Sequence, residues 1–516
     1  MLTGDMLRRS AERFPGKTAI ICQDIRISYQ DLDDQCNQFA QALNELGLAR
    51  GAKVAILSRN RPEYVTAFFG AARSGCVLVN VSVLYSVEEL VYVLNKADVE
   101  ALVFEDVFAA RIASVAPQLS RLKHRIAIGD ADPDQVTFEK LLHGRPRVSP
   151  SVAVHEDDPF CMTYTGGTTG RPKGVLASHR ARAVTAHTVV VESQLTESDI
   201  VAVVTPLFHV AALNILLQPA VLVGATVVLI GKWDVPDYAA AVRTHGVTAA
   251  FMVPTQVSML IGDPDFSPEN YRTWTKLNFS GAPMPDWVQR AVVEKLPQLR
   301  LTQFYGQSEM GIVAALKHAD LPRKLGSVGR QVYNADMAVL DPEGNAVGPS
   351  QVGEIVARGD NVMLEYYNEP EQTSAFWKHG WAWSGDLASI DEDGFVTLVD
   401  RSKDMIISGG ENIYPKEIEN ALYEHAAVAE CAVFGVPDPK WGEVPVAHVR
   451  LKAGALAGED ELIDFCSERL ARFKRPRLVK LVEDFPKTPI GKIQKNILRD
   501  AYRTAGNVEP YGRPTS

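Results

Sequence analysis

An α/β fold is predicted: a large N-terminal domain of α/β sheets plus a small β-rich unit, followed by a smaller α+β C-terminal domain. Three observations predict it. Helix-period apolar stretches alternate with short buried strands over the first hundred residues. Short alternating strands among Gly, Asp and Asn turns fill 326–400. After "DRSKD" (Asp400 to Asp404) the chain returns to helix and strand with apolar segments of its own. At 516 residues it exceeds what one core holds, and the expected domains are 1–400 and 401–516.

Each element has its own warrant. Leu32, Cys36, Phe39, Ala40, Leu43 and Leu46 keep a helical period that Gly47 closes, and "VAIL" (Val54 to Leu57) reads as a buried strand. A second helix is expected from Pro62 to Gly75, feeding the strand "CVLVN". "AAVRTHGVTAAFMVP" and "RLTQFYG" repeat the pattern, whereas "GEIVAR" and "FVTLVD" belong to the β-rich unit. "VAECAVFGV" opens the C-terminal domain. The apolar run Asn214 to Gly231 is broken by Gln218 and Pro219, so a buried helix leading into a buried strand is expected instead of a membrane span. Neither an internal repeat nor a low-complexity segment is evident.

Composition narrows the function. The formal charge of −10 argues against a general nucleic-acid binder, which needs a basic face. The cysteines (Cys22, Cys36, Cys76, Cys161, Cys431 and Cys466) are scattered without a C-x-x-C pair. That disfavours a disulfide framework or a zinc site and suits the cytoplasm. The N-terminal stretch has no apolar core of a secretory signal.

Four segments carry candidate chemistry. "TYTGGTTGRPKGV" (Thr163 to Val175) lacks the G-x-x-x-x-G-K-[ST] order, but Gly166, Gly167 and Gly170 let backbone N–H groups approach an anion. Thr165, Thr168 and Thr169 add hydroxyls and Lys173 a charge; a plain surface turn has the same composition. "YGQSEM" (Tyr305 to Met310) could stack a base and hold a metal through Glu309, although a packed tyrosine and a solvated glutamate read equally well alone. Asp386 and Arg401 could grip a ribose diol or decorate a surface. Lys492 follows Gly491 in "FPKTPIGKIQK", where composition alone gives it no role beyond a solvated charge.

Together and in this order, these segments resemble the adenylate-forming superfamily of acyl-CoA synthetases, coumarate- and feruloyl-CoA ligases, luciferases and peptide-synthetase adenylation domains. The resemblance runs from "ISYQDLD" to "KTPIGKIQK", nearly the whole chain. It implies that ATP and Mg²⁺ convert a carboxylic acid into an acyl-adenylate, from which coenzyme A displaces AMP. Lys492 then matches the catalytic lysine between carboxylate and α-phosphate, and Glu309 the Mg²⁺ ligand. Thr165 through Gly170 with Lys173 match the triphosphate loop. Gly281, Ala282 and Pro283 match the segment lining the adenine and acyl sites and Tyr305 the residue against adenine; Gly306 and Gln307 fall in the same ATP-binding motif, and Ser308, where threonine is commoner, would offer its hydroxyl to the phosphate. Asp386 and Arg401 match the ribose contacts and Lys403 the hinge. Ser408, Gly409, Gly410 and Lys474 fall where coenzyme A is met, although Arg472, Lys474 and Arg475 also read as an ordinary solvated helix end. Two departures stand out: Gly166 replaces a usual serine, so altered ATP affinity is expected, and Asp400 stands where glycine is common, on which little weight rests.

"PLFHVAAL" resembles the border of the acyl pocket, contributing Phe208, His209 and Ala212, with Met310 from the second motif. Amino-acid-activating members carry Phe-Asp where this chain has Phe208 and His209, so an amine would lack its counter-ion. Small and aliphatic neighbours suit a medium- or long-chain fatty acid or an arylpropenoic acid, and acetate less. The alternatives are an enzyme loading a carrier-protein thiol, a luciferase-like oxygenase, and a non-catalytic nucleotide- or acyl-binding protein. Peripheral membrane contact and homodimerisation stay open.

Overall fold

The computed structural model describes residues 1–130, 132, 135–165, 172–282, 284–401, 404–409, 411–487 and 493–504. The chain divides into two compact units, one of Met1–Met337 with Ala357–Ala382, the other of Ala338–Val356 with Trp383–Ser516.

The first unit is mixed α/β, built on two sheets. In one, the strands Thr18–Cys22, Thr226–Leu229, Ile200–Val203, Ala249–Met252, Lys276–Phe279 and Arg300–Gln307 lie side by side and parallel. The hairpin strand Ile25–Ser28 edges one side, and Gly311–Lys317 then Ser327–Gln331 extend the other, all antiparallel. In the second sheet Pro159–Thr165, Val77–Asn80, Lys53–Leu57, Val99–Glu105 and His124–Ile128 run parallel in that order. Lys173–Ser178 and then Glu365–Tyr366 continue it antiparallel beyond Pro159–Thr165.

The helices begin and end where the sequence supplies caps. Tyr29–Glu45 starts on Ser28, whose Oγ accepts the Asp31 N–H at 3.1 Å, and Gly47 follows with φ +75°. Pro62–Ser74 has proline in its first turn and Gly75 in the left-handed region behind it. Val87–Lys96 opens on a capping box of Ser86 and Glu89. The run from Asn214 does form a buried helical segment, ending at Gly224, followed by the strand Thr226–Leu229. Residues Ala212–Leu217, which lead into this run and overlap its start, are wound as a π-helix, a local widening common beside functional sites. Among the described residues no helix is long and apolar enough to cross a membrane.

The second unit contains an antiparallel sheet centred on the long hairpin Val428–Asp438 and Gly442–Leu451. Ile406–Ser408 and Glu411–Ile413 extend it, and Leu478–Leu481 pairs parallel with Gly442–Leu451. Ile418 and Leu422 of the helix Pro415–Tyr423, with Leu462 and Cys466 of the helix Glu459–Ser467, pack on one face against Val433, Ala447 and Val449. Phe434, Val446, Phe485 and Leu498 of the helix Lys495–Thr504 form a separate cluster. All six cysteines are free, five of them buried.

Candidate active site

In the first unit, candidate residues project from the same end of the parallel sheet. Strand Ile200–Val203 leads into Phe208 and His209, strand Lys276–Phe279 into Gly281 and Ala282, and strand Arg300–Gln307 carries Tyr305 and delivers Ser308 and Glu309. Carboxyl ends of adjacent parallel strands are where open α/β sheets bind ligands, because the loops diverge there and leave a crevice.

The turn after Arg300–Gln307 is shaped by two glycines. A Cβ on Gly306 would overlap the Gly311 carbonyl, and Gly311 holds φ +63° with the Thr185 hydroxyl and the Asn361 backbone against it. Only glycine at both positions allows this hairpin, which buries Tyr305 at 6% exposure and sets Glu309 at the turn. The Glu309 carbonyl accepts the Met363 N–H at 2.7 Å, and its Oε1 accepts the Tyr366 hydroxyl at 2.9 Å. Met310 is fully buried. Gly281 takes φ +88°, and it and Ala282 are exposed.

The phosphate-loop motif connects two antiparallel strands, with Thr165 paired opposite Lys173. A side chain at Gly174 would press on Met162 and Tyr164 at about 3 Å, which explains a glycine directly after the lysine. Gly166, Gly167, Thr168, Thr169, Gly170, Pro283, Lys403, Gly410 and Lys492 lie outside the described residues.

His209 sits half-buried at the entry to the π-helix, and its Nδ1 accepts the Ala211 N–H at 3.2 Å. Burial pushes its pKa down to about 4, so the ring is neutral with its proton on Nε2. Phe208, Val210, Ala212 and Leu213 are buried beside it. The loop is fastened by a residue the motifs did not flag. Asn60, 4% exposed, accepts the Leu207 N–H at 2.7 Å and directs its Nδ2 at the carbonyls of Val203, Thr205 and Ile230. A single polar residue inside "SRNRPE" leaves no periodic signal. Arg182, outside the four motifs, is 3% exposed, its Nη1 donates to Asn214 Oδ1 at 2.7 Å, and Nε and Nη2 have no partner among the described residues.

In the second unit, Asp386 and Arg401 face each other on neighbouring antiparallel strands, with Arg401 Nε 2.9 Å from Asp386 Oδ1. Asp400 has a clear structural part. Its Oδ1 accepts the Arg401 N–H at 2.7 Å and its Oδ2 the Lys416 N–H at 2.8 Å. The helix Pro415–Tyr423 has no side-chain cap of its own, so Asp400 serves it from a distance. Burial holds the Asp400 carboxyl above its ordinary pKa, opposed by Lys495 and those backbone bonds. Ser408 ends a strand opposite Glu411, and Gly409 takes φ +60° with its N–H on the Trp441 carbonyl at 2.7 Å. Lys474 is engaged by Glu417, both carboxylate oxygens lying 2.8 Å from its Nζ.

Among the described residues no group of three His, Cys, Asp or Glu could cage a metal. A lone carboxylate such as Glu309 still fits Mg²⁺, which takes one or two protein ligands and completes its shell with phosphates and water.

The AMP-binding enzyme model matches residues 7–367, and the C-terminal domain model of the same enzymes matches 417–492. The chain belongs to the AMP-binding enzyme family. A feruloyl-CoA synthase of Amycolatopsis sp. is 35% identical over 492 residues, covering 95% of this chain and 97% of that protein. A long-chain-fatty-acid–CoA ligase of Mycobacterium tuberculosis is 31% identical over 505 residues, covering 97% and 98%. The crystal structure of the anthranilate CoA ligase AuaEII in complex with anthranoyl-AMP superposes with a TM-score of 0.91 at 28% identity, covering 98% of each chain. The α/β architecture expected from the sequence is that of this family.

Proposed function

We propose that this AMP-binding enzyme activates an apolar carboxylic acid as its acyl-adenylate and transfers the acyl group to coenzyme A, releasing pyrophosphate and then AMP. Acid–thiol ligation is the reaction named for its relatives. The observation that carries the assignment is the placement of Gly281, Tyr305 and Glu309 at the carboxyl ends of the adjacent parallel strands Lys276–Phe279 and Arg300–Gln307, with His209 following Ile200–Val203, two strands along in the same parallel set.

The chemistry follows from charge. Attack of a carboxylate on the α-phosphate brings two anions together, so the barrier falls where fixed cations meet the developing charge. Lys492 takes that task at the α-phosphate, and Lys173 with Thr165 and the glycine loop receives the β- and γ-phosphates. Mg²⁺, when bound, would screen the phosphates, with Glu309 holding it. Tyr305 packs against adenine, and Asp386 accepts from the ribose hydroxyls with Arg401 fixing the carboxylate. Lys403 is the pivot about which residues 401–516 turn between half-reactions, bringing Ser408, Gly409 and Gly410 to the thiol. Lys474 would have to leave Glu417 to meet a coenzyme A phosphate. Six free thiols favour a reducing compartment, the cytoplasm.

The acid is apolar and sizeable. Phe208, Val210, Ala212 and Leu213 offer no ion for a second charge, and neutral His209 offers no carboxylate for an amine. Arylpropenoic acids and medium- or long-chain fatty acids both meet these terms, and the two relatives named above act on one class each.

The test is pyrophosphate release with ATP and Mg²⁺ across acids from acetate to palmitate, with benzoate, cinnamate, coumarate and ferulate, each with and without coenzyme A. Release confined to one apolar class and sustained by coenzyme A is expected. A burst that coenzyme A cannot sustain would assign the acyl group to another acceptor, and no release with any acid would remove the assignment.

A further inference from the structure

The carboxylate assigned to the metal and the lysine assigned to the phosphates share one neighbour. Tyr366 lies in the two-residue strand Glu365–Tyr366, paired antiparallel with Lys173–Ser178 and opposite Val175. Its hydroxyl donates to Glu309 Oε1 at 2.9 Å, and Lys173 Nζ stands 5.0 Å from the centre of its ring. The backbone around it is laced to both sides. Met363 N–H reaches the Glu309 carbonyl at 2.7 Å, while Leu364 and Tyr367 donate to Leu176 and Gly174 at 2.8 Å. Thr373 Oγ1 accepts the Tyr366 N–H at 3.0 Å, and Phe376 meets the ring edge-on at 6.0 Å.

We propose that Tyr366 is a positioning residue for nucleotide binding that holds Glu309 and Lys173 apart in their working places. The inference rests on the roles assigned above to those two residues. A carboxylate and an ammonium on adjoining segments attract, and a direct pair would spend both charges on each other. Glu309 and Lys173 meet the same phenol at different places, one at its oxygen and the other over its ring. The phenol instead gives each a separate partner: the hydroxyl fixes the carboxylate rotamer, and the ring face attracts the ammonium without neutralising it. Both charges thus stay directed at the nucleotide, and neither must be reoriented when it binds.

The test measures binding in the absence of acid, where nothing turns over. Titration calorimetry follows ATP with Mg²⁺ and ATP in EDTA for the wild type, Tyr366→Phe, Tyr366→Leu and Glu309→Gln. Tyr366→Phe keeps the ring and its Phe376 contact, and should weaken Mg²⁺–ATP binding about tenfold while leaving metal-free ATP within about twofold. Tyr366→Leu, which removes the platform under Lys173 as well, should weaken both. Wild-type metal-dependent binding in Tyr366→Phe, with the metal increment lost in Glu309→Gln, overturns the proposal and leaves the Glu309 assignment standing. An unchanged increment in Glu309→Gln removes the Glu309 assignment and the proposal with it. Should Tyr366→Leu not fold, Tyr366→Trp, a larger ring without the phenol oxygen, replaces it with the expectation set for Tyr366→Phe.

Discussion

The Leu207 N–H donates to Asn60 Oδ1 at 2.7 Å, joining the loop after the strand Lys53–Leu57 to the segment that delivers His209. The same amide serves three carbonyls through its Nδ2, all in a site closed to water. Asn60→Ala strands these groups together and should cost about 2–4 kcal/mol of stability, read by urea unfolding. Asn60→Asp should be worse, because a carboxylate would face three carbonyl oxygens. If the loop shapes the acyl pocket, KM for the acid rises in a folded Asn60→Ser variant while ATP affinity holds.

How far the sequence could be read follows from which signals repeat. Pro62 and Gly75 bracket a helix because one lacks an N–H that the first turn does not need and the other accepts φ +75°, so both ends were visible. The strand Val54 to Leu57 was visible as an unbroken apolar run. The π-helix Ala212–Leu217 was not, because a wholly buried apolar stretch shows no face from which to read a period. Asn60 and Arg182 were invisible for another reason. Their importance comes from partners more than thirty residues away, and no local pattern records such a meeting. Asp400 shows the same limit, since its cap on Lys416 exists only in the folded unit. In the candidate site, Tyr305 and Glu309 stood out only through the resemblance of "YGQSEM" to a family motif, and Tyr366, which lies outside the four motifs, carried no such signal.

Acid should loosen the protein through its buried histidines. Burial lowers His179 to about 4 and His209 to about 4, and in the second unit burial, with Lys480 adding to it, lowers His448 to about 4. The unfolded chain takes up these protons near pH 6.5, so between pH 6.5 and 4 it binds more of them than the native state does. Stability is therefore fully present above pH 6.5 and lost as pH falls towards 4, by about 1.4 kcal/mol per unit for each such group. In His179→Asn, whose amide oxygen can still accept the Thr3 N–H that His179 Nδ1 now takes at 3.3 Å, the slope should be shallower. Urea midpoints measured from pH 7.5 to 4.5 check this, and an unchanged slope would contradict it.

Arg182 carries a charge into the interior with two of its nitrogens unsatisfied and no ion pair among the described residues. Removing it does not orphan its partner, because Asn214 Oδ1 also accepts from Gln218 Nε2 at 3.0 Å. Arg182→Met keeps the volume of the stem and drops the charge, and should stabilise the protein by about 1–3 kcal/mol. A lower thermal midpoint in that variant would mean the guanidinium has partners in solution that offset its burial.

Lys495 Nζ lies 2.7 Å from Glu419 Oε1, and Glu419 also receives the Val433 N–H at 2.9 Å. Burial works against the lysine's charge, but Glu419 and Asp400 outweigh it and raise its pKa. A raised lysine contributes stability that is complete below its unfolded value and lost only as strongly alkaline pH passes the folded one. Lys495→Met leaves two carboxylates facing each other and should cost about 2 kcal/mol or more at neutral pH. Adding Glu419→Gln, which keeps an acceptor for Val433, should recover part of that loss, and a double-mutant cycle measures the coupling directly.

The two half-reactions should separate under substitutions at opposite ends of the C-terminal segment. Adenylate formation gathers charge at the α-phosphate, whereas thioester formation begins from a mixed anhydride already activated and needs no cation there. Lys492→Ala should accordingly lower acid-dependent ATP–pyrophosphate exchange by at least about 100-fold. Conversion of a supplied acyl-adenylate to acyl-CoA should stay within a few-fold of wild type. Lys403→Pro should do the reverse, since fixing φ at a pivot leaves the adenylating arrangement reachable and blocks the turn to the thiol. Equal loss of both steps in Lys492→Ala would deny that lysine a step-specific role. Unchanged overall turnover in Lys403→Pro would move the pivot elsewhere, with Asp400 the next position to substitute, because it ties the strand end at Arg401 to the helix that begins at Pro415.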